Sequence, residues 1–131
     1  MGEILCGYAS VFGVVDGQND LVAPGAFRRS LARHRSQSTM PLMFYEHEPG
    51  DEIGFWSLIE EDAHGLWVEG IFRERWYGSP QKSFRYARGL SIGFDVFRTY
   101  REGGIRILQE LELIEISIVQ GPANPLSILL K

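Results

Sequence analysis

The sequence Gly89-Leu90-Ser91-Ile92-Gly93-Phe94 joins a polar, helix-like run to an apolar, strand-like run. One hydroxyl group, that of Ser91, lies between two glycines at this junction. Because glycine has no Cβ, a serine here can be presented with its backbone amides uncovered, or at a turn that requires a positive φ. That environment suits a nucleophile, although similar spellings also occur in ordinary turns. A nucleophilic Ser91 therefore has to be argued from the residues that would act with it.

The composition of the chain is typical of one soluble domain. It has 131 residues, of which 44% are hydrophobic and 23% are charged, and a chain of this size can bury most of its apolar surface around one core. We therefore predict a single domain over residues 1–131. The formal net charge of −4 argues against nucleic-acid binding, because such proteins normally have a basic face. A local basic cluster is nevertheless present: Arg28, Arg29, Arg33 and Arg35.

The sequence indicates neither a membrane partner nor an oxidising compartment. A single cysteine, Cys6, excludes an internal disulfide and fits a reducing environment. No apolar run is long enough to span a bilayer, and the amino terminus lacks the charged and apolar regions of a signal peptide. These features predict a protein that is made and used in the cytoplasm.

The rest of the chain predicts a mainly β fold with a few helices. Runs rich in β-branched and aromatic residues, bounded by glycine, proline and acidic turns, predict strands. These runs lie at residues 4–15, 41–45, 53–60, 65–72, 92–100, 105–108 and 111–119. Apolar side chains at i and i+4 predict a helix over residues 26–35, with its arginines in solvent. A second helix is predicted over residues 80–88, because Ser79-Pro80 is typical of an N-cap followed by proline.

A histidine is predicted at the rim of the sheet. His47 follows the apolar run at residues 41–45, is flanked by Glu46 and Glu48, and precedes a Pro-Gly turn. The end of a buried strand would hold its ring in an accessible position. Taken alone, this pattern is also that of an ordinary surface histidine.

The last strand places a carboxylate among hydrophobic residues. Alternation assigns Ile114, Ile116 and Ile118 to one face, and Leu113, Glu115, Ser117 and Val119 to the other. Because burial of an uncompensated carboxylate is costly, Glu115 should either have a hydrogen-bonding partner or hold its proton more tightly than usual. The alternative is an edge-strand glutamate in water.

Several of these stretches form one recognisable set. They are Gly7-Tyr8-Ala9-Ser10-Val11-Phe12 with Ala23-Pro24-Gly25-Ala26-Phe27, then Glu46-His47-Glu48-Pro49 followed by Ile53-Gly54, then the Gly-Leu-Ser-Ile-Gly-Phe stretch, and residues 113–119 with Pro122-Ala123-Asn124. Together they resemble the prohead (capsid maturation) proteases of tailed phages and related gene-transfer particles. The resemblance extends over about residues 4–128.

This resemblance implies a serine protease related in fold to herpesvirus assemblin. Its fold would be a closed or nearly closed, mainly antiparallel β-barrel with helices packed outside. Ser91 matches the family's nucleophile and His47 matches its general base. The third member is a second histidine in assemblins, whereas the matching strand here offers Glu115, a carboxylate that can hold the imidazole in the right tautomer. The competing carboxylates are Glu46, Glu48 and Glu112. Such a mechanism uses no cofactor and no metal.

The resemblance also implies partners and a location. The substrates would be the scaffolding segment of the major capsid protein, any separate scaffold and the protease itself, cut inside the assembling procapsid in the host cytoplasm. Assemblin-like enzymes are activated by dimerisation, so a homodimer is expected, although the sequence offers no clean interface helix beyond residues 80–88. The chain ends soon after Pro122-Ala123-Asn124, where longer family members have an extended tail, which is consistent with a mature or trimmed form.

Two other functions remain open. A metal-dependent hydrolase would use His34, His47 and His64 with nearby acids. The sequence has no His-x-x-x-His or Cys-x-x-Cys pair for this, and His34 lies on a helix predicted to be exposed. A non-enzymatic β-barrel, acting as a scaffold or assembly module of the procapsid, would have the same strands without needing His47, Ser91 and Glu115 together.

Overall fold

The computed structural model describes residues 2–50, 52–73 and 87–130. Its elements in chain order are β1 (Gly2–Val11), β2 (Asp20–Val22), α1 (Arg28–Gln37), β3 (Gly54–Glu61), β4 (Gly65–Arg73), β5 (Gly89–Glu102), β6 (Ile105–Val119) and β7 (Leu129–Leu130). Strands predominate, as the sequence predicts. Most of the helix predicted at 80–88 falls outside the described residues, and the two described positions, Ala87 and Arg88, are not helical. No helix within the described ranges is long and apolar enough to span a bilayer.

The strands form two sheets that share one hydrophobic core. One sheet has the order β3-β4-β1-β7 and the other has the order β2-β6-β5. Paired strands are antiparallel, apart from β2 and β6, which are parallel. Buried side chains from both sheets belong to a single cluster, including Leu5, Trp56, Leu90 and Ile116. The strand ladders of the described residues do not join into one closed sheet, so closure into a barrel stays a prediction.

Residues 42–46, between α1 and β3, connect the two sheets. Four backbone hydrogen bonds join this segment to the end of β6: Leu42 N–H to Ile114 O at 3.1 Å, Ile116 N–H to Leu42 O at 2.8 Å, Ile118 N–H to Phe44 O at 2.9 Å, and Glu46 N–H to Ile118 O at 2.9 Å. On the other side, Ile53 N–H donates to Met43 O at 3.1 Å, next to the start of β3. The bridges to β6 are parallel. This segment therefore delivers His47 to the carboxyl-terminal part of β6.

The long hairpin of β5 and β6 sets the relative positions of Ser91 and Glu115. A turn at Gly103-Gly104 joins the two strands, and the two short strands predicted at 105–108 and 111–119 are one continuous strand. Ser91 lies opposite Ser117, and Gly93 lies opposite Glu115. Pairs two positions apart along a ladder share a face of the sheet. These four residues therefore lie together on one face.

An extra residue, Ile114, shifts the alternation of β6. The pair that follows Gly93 and Glu115 is Phe94 and Leu113, so Ile114 has no ladder partner on β5, as in a β-bulge. Ile114 is 44% exposed. The core residues nearest to it are odd-numbered before it, Leu111 and Leu113, and even-numbered after it, Ile116 and Ile118. The prediction that Ile114 shares the face of Ile116 is therefore wrong, and so is the placement of Leu113 on the face of Glu115, because the shift interrupts strict alternation.

Helix α1 packs against β6 through buried polar side chains. Leu31 belongs to the core, and Ser30 and His34 are also buried. The His34 ring lies 2.9 Å from Leu113 O and 2.8 Å from Thr39 Oγ1. The prediction that His34 lies on an exposed helix is wrong, because its ring is used to hold α1 on the main chain of β6.

Candidate active site

Ser91, His47 and Glu115 lie in one hydrogen-bonded chain. His47 Nε2 is 2.9 Å from Ser91 Oγ, and His47 Nδ1 contacts Glu115 Oε1. An ionised carboxylate can only accept, so Nδ1 carries the proton and Nε2 of the neutral ring accepts from the Ser91 hydroxyl. The structure thus brings together the three side chains that the sequence predicts.

The glycines beside Ser91 serve close packing instead of a turn. Ser91 lies within β5, and neither Gly89 nor Gly93 has a positive φ. A Cβ on Gly93 would lie 2.4 Å from Glu115 Cγ, and a Cβ on Gly89 would lie 2.6 Å from Pro122 Cγ. The positive-φ turn considered for this stretch is therefore absent at these two glycines, and Gly93 makes room for the Glu115 side chain.

A tight turn at the end of residues 42–46 orients His47. Glu46 and His47 have φ values of 52° and 60°, in a region that non-glycine residues seldom adopt. Two hydrogen bonds from the main chain hold this turn on β6. Glu46 N–H donates to Ile118 O, and His47 N–H donates to Ser117 Oγ at 3.2 Å. The turn directs the imidazole ring back over the sheet.

Glu115 is buried and has two hydrogen-bonding partners. Its exposure is 7%, and its Oε1 accepts from His47 Nδ1 and from the Ser117 hydroxyl, the latter at 3.1 Å. The expectation of a hydrogen-bonding partner for this carboxylate is confirmed. The sequence places Ser117 on the face of Glu115 but assigns it no role. The i, i+2 spacing between them is the signal that could have revealed the contact.

The pKa of His47 is raised above its ordinary value of 6.5. The hydrogen bond to Glu115 is the largest cause, partial burial of the ring acts in the opposite direction, and the charges of Glu115 and Glu46 add to the rise. A raised pKa makes the neutral ring a stronger base. The ring is neutral only above that pKa, so the same interaction would move the onset of any base catalysis by this ring to higher pH.

A cleft of about 80 Å³ opens beside His47 and Ser91. Its lining combines buried apolar residues with polar ones, including Val22, Leu90, Leu108, Asp16, Gln18 and Asn124. The volume exceeds the roughly 10–15 Å³ that a cavity needs to hold one water molecule. The cleft therefore offers room for a small side chain next to the Ser91 hydroxyl.

Comparison with known proteins assigns the chain to a family. The model of the caudovirus prohead serine protease family matches residues 1–129. The chain belongs to this family. It is also 33% identical, over 127 residues, to the prohead protease of Enterobacteria phage HK97; the match covers 90% of this chain and 55% of that protein. This prohead protease family member thus spans about half the length of the curated relative that it matches.

The fold of this family member is similar to that of herpesvirus proteases. A crystal structure of the KSHV protease, in complex with a hexapeptide phosphonate inhibitor, matches with a TM-score of 0.59 at 14% identity, covering 99% of this chain and 64% of that one. The varicella-zoster virus protease matches with a TM-score of 0.52 at 15% identity, covering 86% and 58% of the two chains. The predicted relation in fold to the assemblin type is confirmed.

The competing carboxylates of the prohead protease family member are Glu46, Glu48 and Glu112, and the contacts of Glu46 and Glu112 lie away from the His47 ring. Glu46 accepts from Gln120 N–H at 2.6 Å. Glu112 contacts Ser30 and Arg33 of α1. Glu48 is exposed in the turn after His47. Glu115 contacts the His47 ring at Nδ1.

The three histidines lie in separate environments. His34 is buried against β6, His47 contacts Ser91, and His64 lies in the exposed turn between β3 and β4. Within residues 2–50, 52–73 and 87–130, no group of three histidine, cysteine or acidic side chains is placed to hold a metal ion. These positions argue against a metal site built from His34, His47 and His64.

Proposed function

We propose that this chain is a serine endopeptidase in which Ser91 is the nucleophile, His47 is the general base and Glu115 orients the histidine. The observation that supports this best is the continuous chain of contacts from Glu115 through both nitrogens of His47 to Ser91. A scaffold or assembly module with the same strands has no need of this arrangement.

The proposed reaction passes through an acyl-enzyme. His47 Nε2 takes the proton from Ser91 Oγ while Oγ forms a bond to the carbonyl carbon of the substrate. Glu115 keeps the other proton on Nδ1 and stabilises the imidazolium. The imidazolium then donates its Nε2 proton to the leaving amine as the C–N bond breaks, which leaves an ester on Ser91. Water, deprotonated by the same nitrogen, hydrolyses the ester and restores the hydroxyl.

The proposed substrates are the scaffolding segment of the major capsid protein, any separate scaffold, and the protease itself. Cleavage would take place inside the assembling procapsid in the host cytoplasm. Membership of the prohead serine protease family and the name of the phage HK97 relative support this assignment. A homodimer is the proposed active form, and its expected contact helix at 80–88 lies outside the described residues.

The proposed architecture is a single domain with a barrel of assemblin type. Two sets of backbone contacts support closure of the sheets. Residues 42–46 bridge β6 to the start of β3, and Gly89 of β5 bridges Ile128, the residue before β7. Likeness to the herpesvirus protease fold supports the same arrangement.

Co-expression with the neighbouring capsid gene tests the proposed function. The mass of the capsid protein should fall when the wild-type chain is present and should stay unchanged with Ser91→Ala, which removes only a hydroxyl. A capsid protein that is trimmed by Ser91→Ala would end the assignment of the nucleophile. An untrimmed capsid protein with the wild-type chain would favour the scaffold alternative.

A fluorophosphonate probe tests the three roles one by one. Labelling of Ser91 should be lost in His47→Ala and should survive a chelator, which separates the proposal from a metal-dependent hydrolase. Glu115→Gln should lower the labelling rate by roughly 10⁴-fold, the scale seen when an orienting carboxylate is neutralised in a triad. Near-normal labelling of Glu115→Gln, with loss in Glu48→Gln or Glu112→Gln, would move the third role to that residue. Near-normal labelling in all three would leave a Ser-His dyad.

A further inference from the structure

The hydroxyl of Ser117 lies between the two groups that orient the imidazole. We propose that Ser117 is a positioning residue, which holds the Glu115 carboxylate and the His47 main chain in the geometry that the base requires. This inference rests on the proposed function of Ser91, His47 and Glu115. It adds a fourth residue, whose hydroxyl contacts Glu115 and the main chain of His47.

The contacts of Ser117 fill both hydrogen-bonding roles of its hydroxyl. Oγ donates to Glu115 Oε1 at 3.1 Å and accepts from His47 N–H at 3.2 Å. The side chain is fully buried, with 0% exposure. A buried hydroxyl between fixed partners cannot exchange either of them for water. Ser117 therefore couples the position of the carboxylate to the position of the histidine backbone.

The turn at His47 has a particular need for such a contact. His47 has a φ of 60°, a conformation that persists only where surrounding contacts fix it. Its side chain is 42% exposed, so packing restrains the ring on one side alone. The bond from His47 N–H to Ser117 restrains the main chain of the turn, and the bond from Ser117 to Glu115 restrains the acceptor of the ring. Together these two bonds restrain both partners of the contact between His47 Nδ1 and Glu115 Oε1.

The ladder of β5 and β6 places Ser117 where it can act on the whole site. Ser91 is directly opposite Ser117, and Gly93 is directly opposite Glu115. The nucleophile and its opposite neighbour thus belong to one rung of the sheet, and the carboxylate to the next rung on the same face. The space beside Gly93 is filled by the Glu115 side chain, so Ser117 and His47 contact a carboxyl group that already packs against β5.

A second buried serine provides a matched control. Ser30 is 1% exposed, its hydroxyl donates to the Glu112 carboxylate, and it accepts from Leu113 N–H at 2.8 Å. Like Ser117, Ser30 donates to a carboxylate and accepts from a main-chain N–H, and both sets of contacts include residues of β6. The contacts of Ser30 include no residue of the proposed active site. Ser30→Ala and Ser117→Ala therefore remove the same kinds of hydrogen bond and should lower the thermal midpoint by similar amounts, a few degrees each.

The experiment compares the rates at which a fluorophosphonate phosphonylates Ser91 in these variants, with fluoride as the leaving group. Each rate is separated into kinact for the chemical step and KI for binding. Ser117→Ala should lower kinact by about 10- to 100-fold with KI unchanged, the scale expected when a reacting group is misplaced by about 1 Å. Ser30→Ala should leave both constants within about twofold of wild type. The acid limb of kinact/KI should also move to lower pH in Ser117→Ala, because a weaker contact with Glu115 raises the pKa of His47 less.

A value of kinact for Ser117→Ala that matches Ser30→Ala, or an acid limb that does not move, would overturn the positioning role. If Ser117→Ala does not fold, Ser117→Cys replaces it, since a thiol fills the space but is a weak donor and acceptor; the same fall in kinact is expected. Wild-type protein that reacts with the probe, with reaction lost in Ser91→Ala, shows that such a result concerns Ser117 alone. Wild-type protein that does not react would instead reject the proposed function.

Discussion

Gly93 is the residue at which a single methyl group should do most damage to the proposed site. A Cβ at this position would lie 2.4 Å from Glu115 Cγ and 2.7 Å from its Oε1. Because the clash is with the carboxyl group that contacts His47, the side chain of Glu115 has to move. Gly93→Ala should therefore reduce the rate of fluorophosphonate labelling by about 100-fold or more, with the protein still folded.

The control for Gly93→Ala is Gly121→Ala, where an added Cβ would meet nothing within 4 Å and φ is not positive. That variant should label at the wild-type rate. Labelling of Gly93→Ala at the wild-type rate would mean that Glu115 can be displaced without consequence, and would count against its orienting role.

The raised pKa of His47 predicts how activity and stability change with pH. Activity needs the neutral ring, so the acid limb of the pH profile should lie above pH 6.5, the ordinary value for histidine. Stability changes in the opposite direction. A folded-state pKa above the unfolded value contributes stability that is complete below about pH 6.5 and is lost as pH rises through the folded pKa.

Labelling rates between pH 5 and 9, measured alongside thermal midpoints, test this relation. The Glu115→Gln variant should keep some residual labelling activity, and the acid limb of that activity should lie at lower pH than in wild type. The reason is that the main cause of the raised pKa of His47 has been removed. The stability that wild type gains from protonation of His47 at low pH should be small, since the His47 side chain is 42% exposed and solvent screens its interaction with Glu115. An acid limb that is the same in wild type and Glu115→Gln would contradict the assignment of Glu115 as the partner of His47.

At the scale of single elements, β6 shows where sequence pattern fails and why. Its apolar residues do alternate, but the extra residue Ile114 changes the phase between Leu113 and Ile116. A bulge of this kind depends on the pairing with β5, a contact that periodicity along one strand does not contain. The sequence nevertheless predicts a hydrogen-bonding partner for Glu115. Both of its chain neighbours are apolar, whichever face each occupies, and a carboxylate among apolar residues needs a partner.

The register shift predicts unequal effects for two isoleucines that simple alternation treats alike. Ile114 is 44% exposed, whereas Ile116 is fully buried in the core. Ile116→Ala should lower the free energy of unfolding by about 2–5 kcal/mol. Ile114→Ala should cost below about 1 kcal/mol, because its role in the strand is played by its main chain, which accepts from Leu42 N–H. Denaturant unfolding of the two variants measures both values, and equal losses would contradict the shift.

The sequence predicts a strand over residues 41–45, but it does not predict which strand the segment at 42–46 pairs with. It is parallel to β6 through contacts about 70 residues apart, such as Glu46 N–H to Ile118 O. Local propensity says that this run is extended, whereas the choice of partner is made by tertiary packing. The contact between His47 N–H and Ser117 Oγ cannot be predicted for the same reason, since it forms only when the turn at His47 reaches β6.

For the whole molecule, the proposed site depends on the association of the two sheets. Ser91 and Glu115 belong to the sheet of β5 and β6, while His47 is held by a segment that bridges to β3. Buried residues of both sheets form one cluster. Family motifs in the sequence could identify the three side chains, but the distances between them are a property of this shared core.

Trp56 provides a direct test of that dependence. It is 2% exposed in β3, and its Nε1–H donates across the core to Ile116 O in β6 at 3.2 Å. Trp56→Phe keeps a ring but removes the donor, so it should cost about 1–3 kcal/mol of unfolding free energy. Because one core supports both sheets, we expect cooperative unfolding. Loss of Ser91 labelling and loss of far-ultraviolet circular dichroism should then coincide in a urea titration, and Trp56→Phe should move both midpoints together. Labelling that is lost at lower urea than the secondary structure, in either protein, would show that the turn at His47 detaches from β6 while the sheets remain associated.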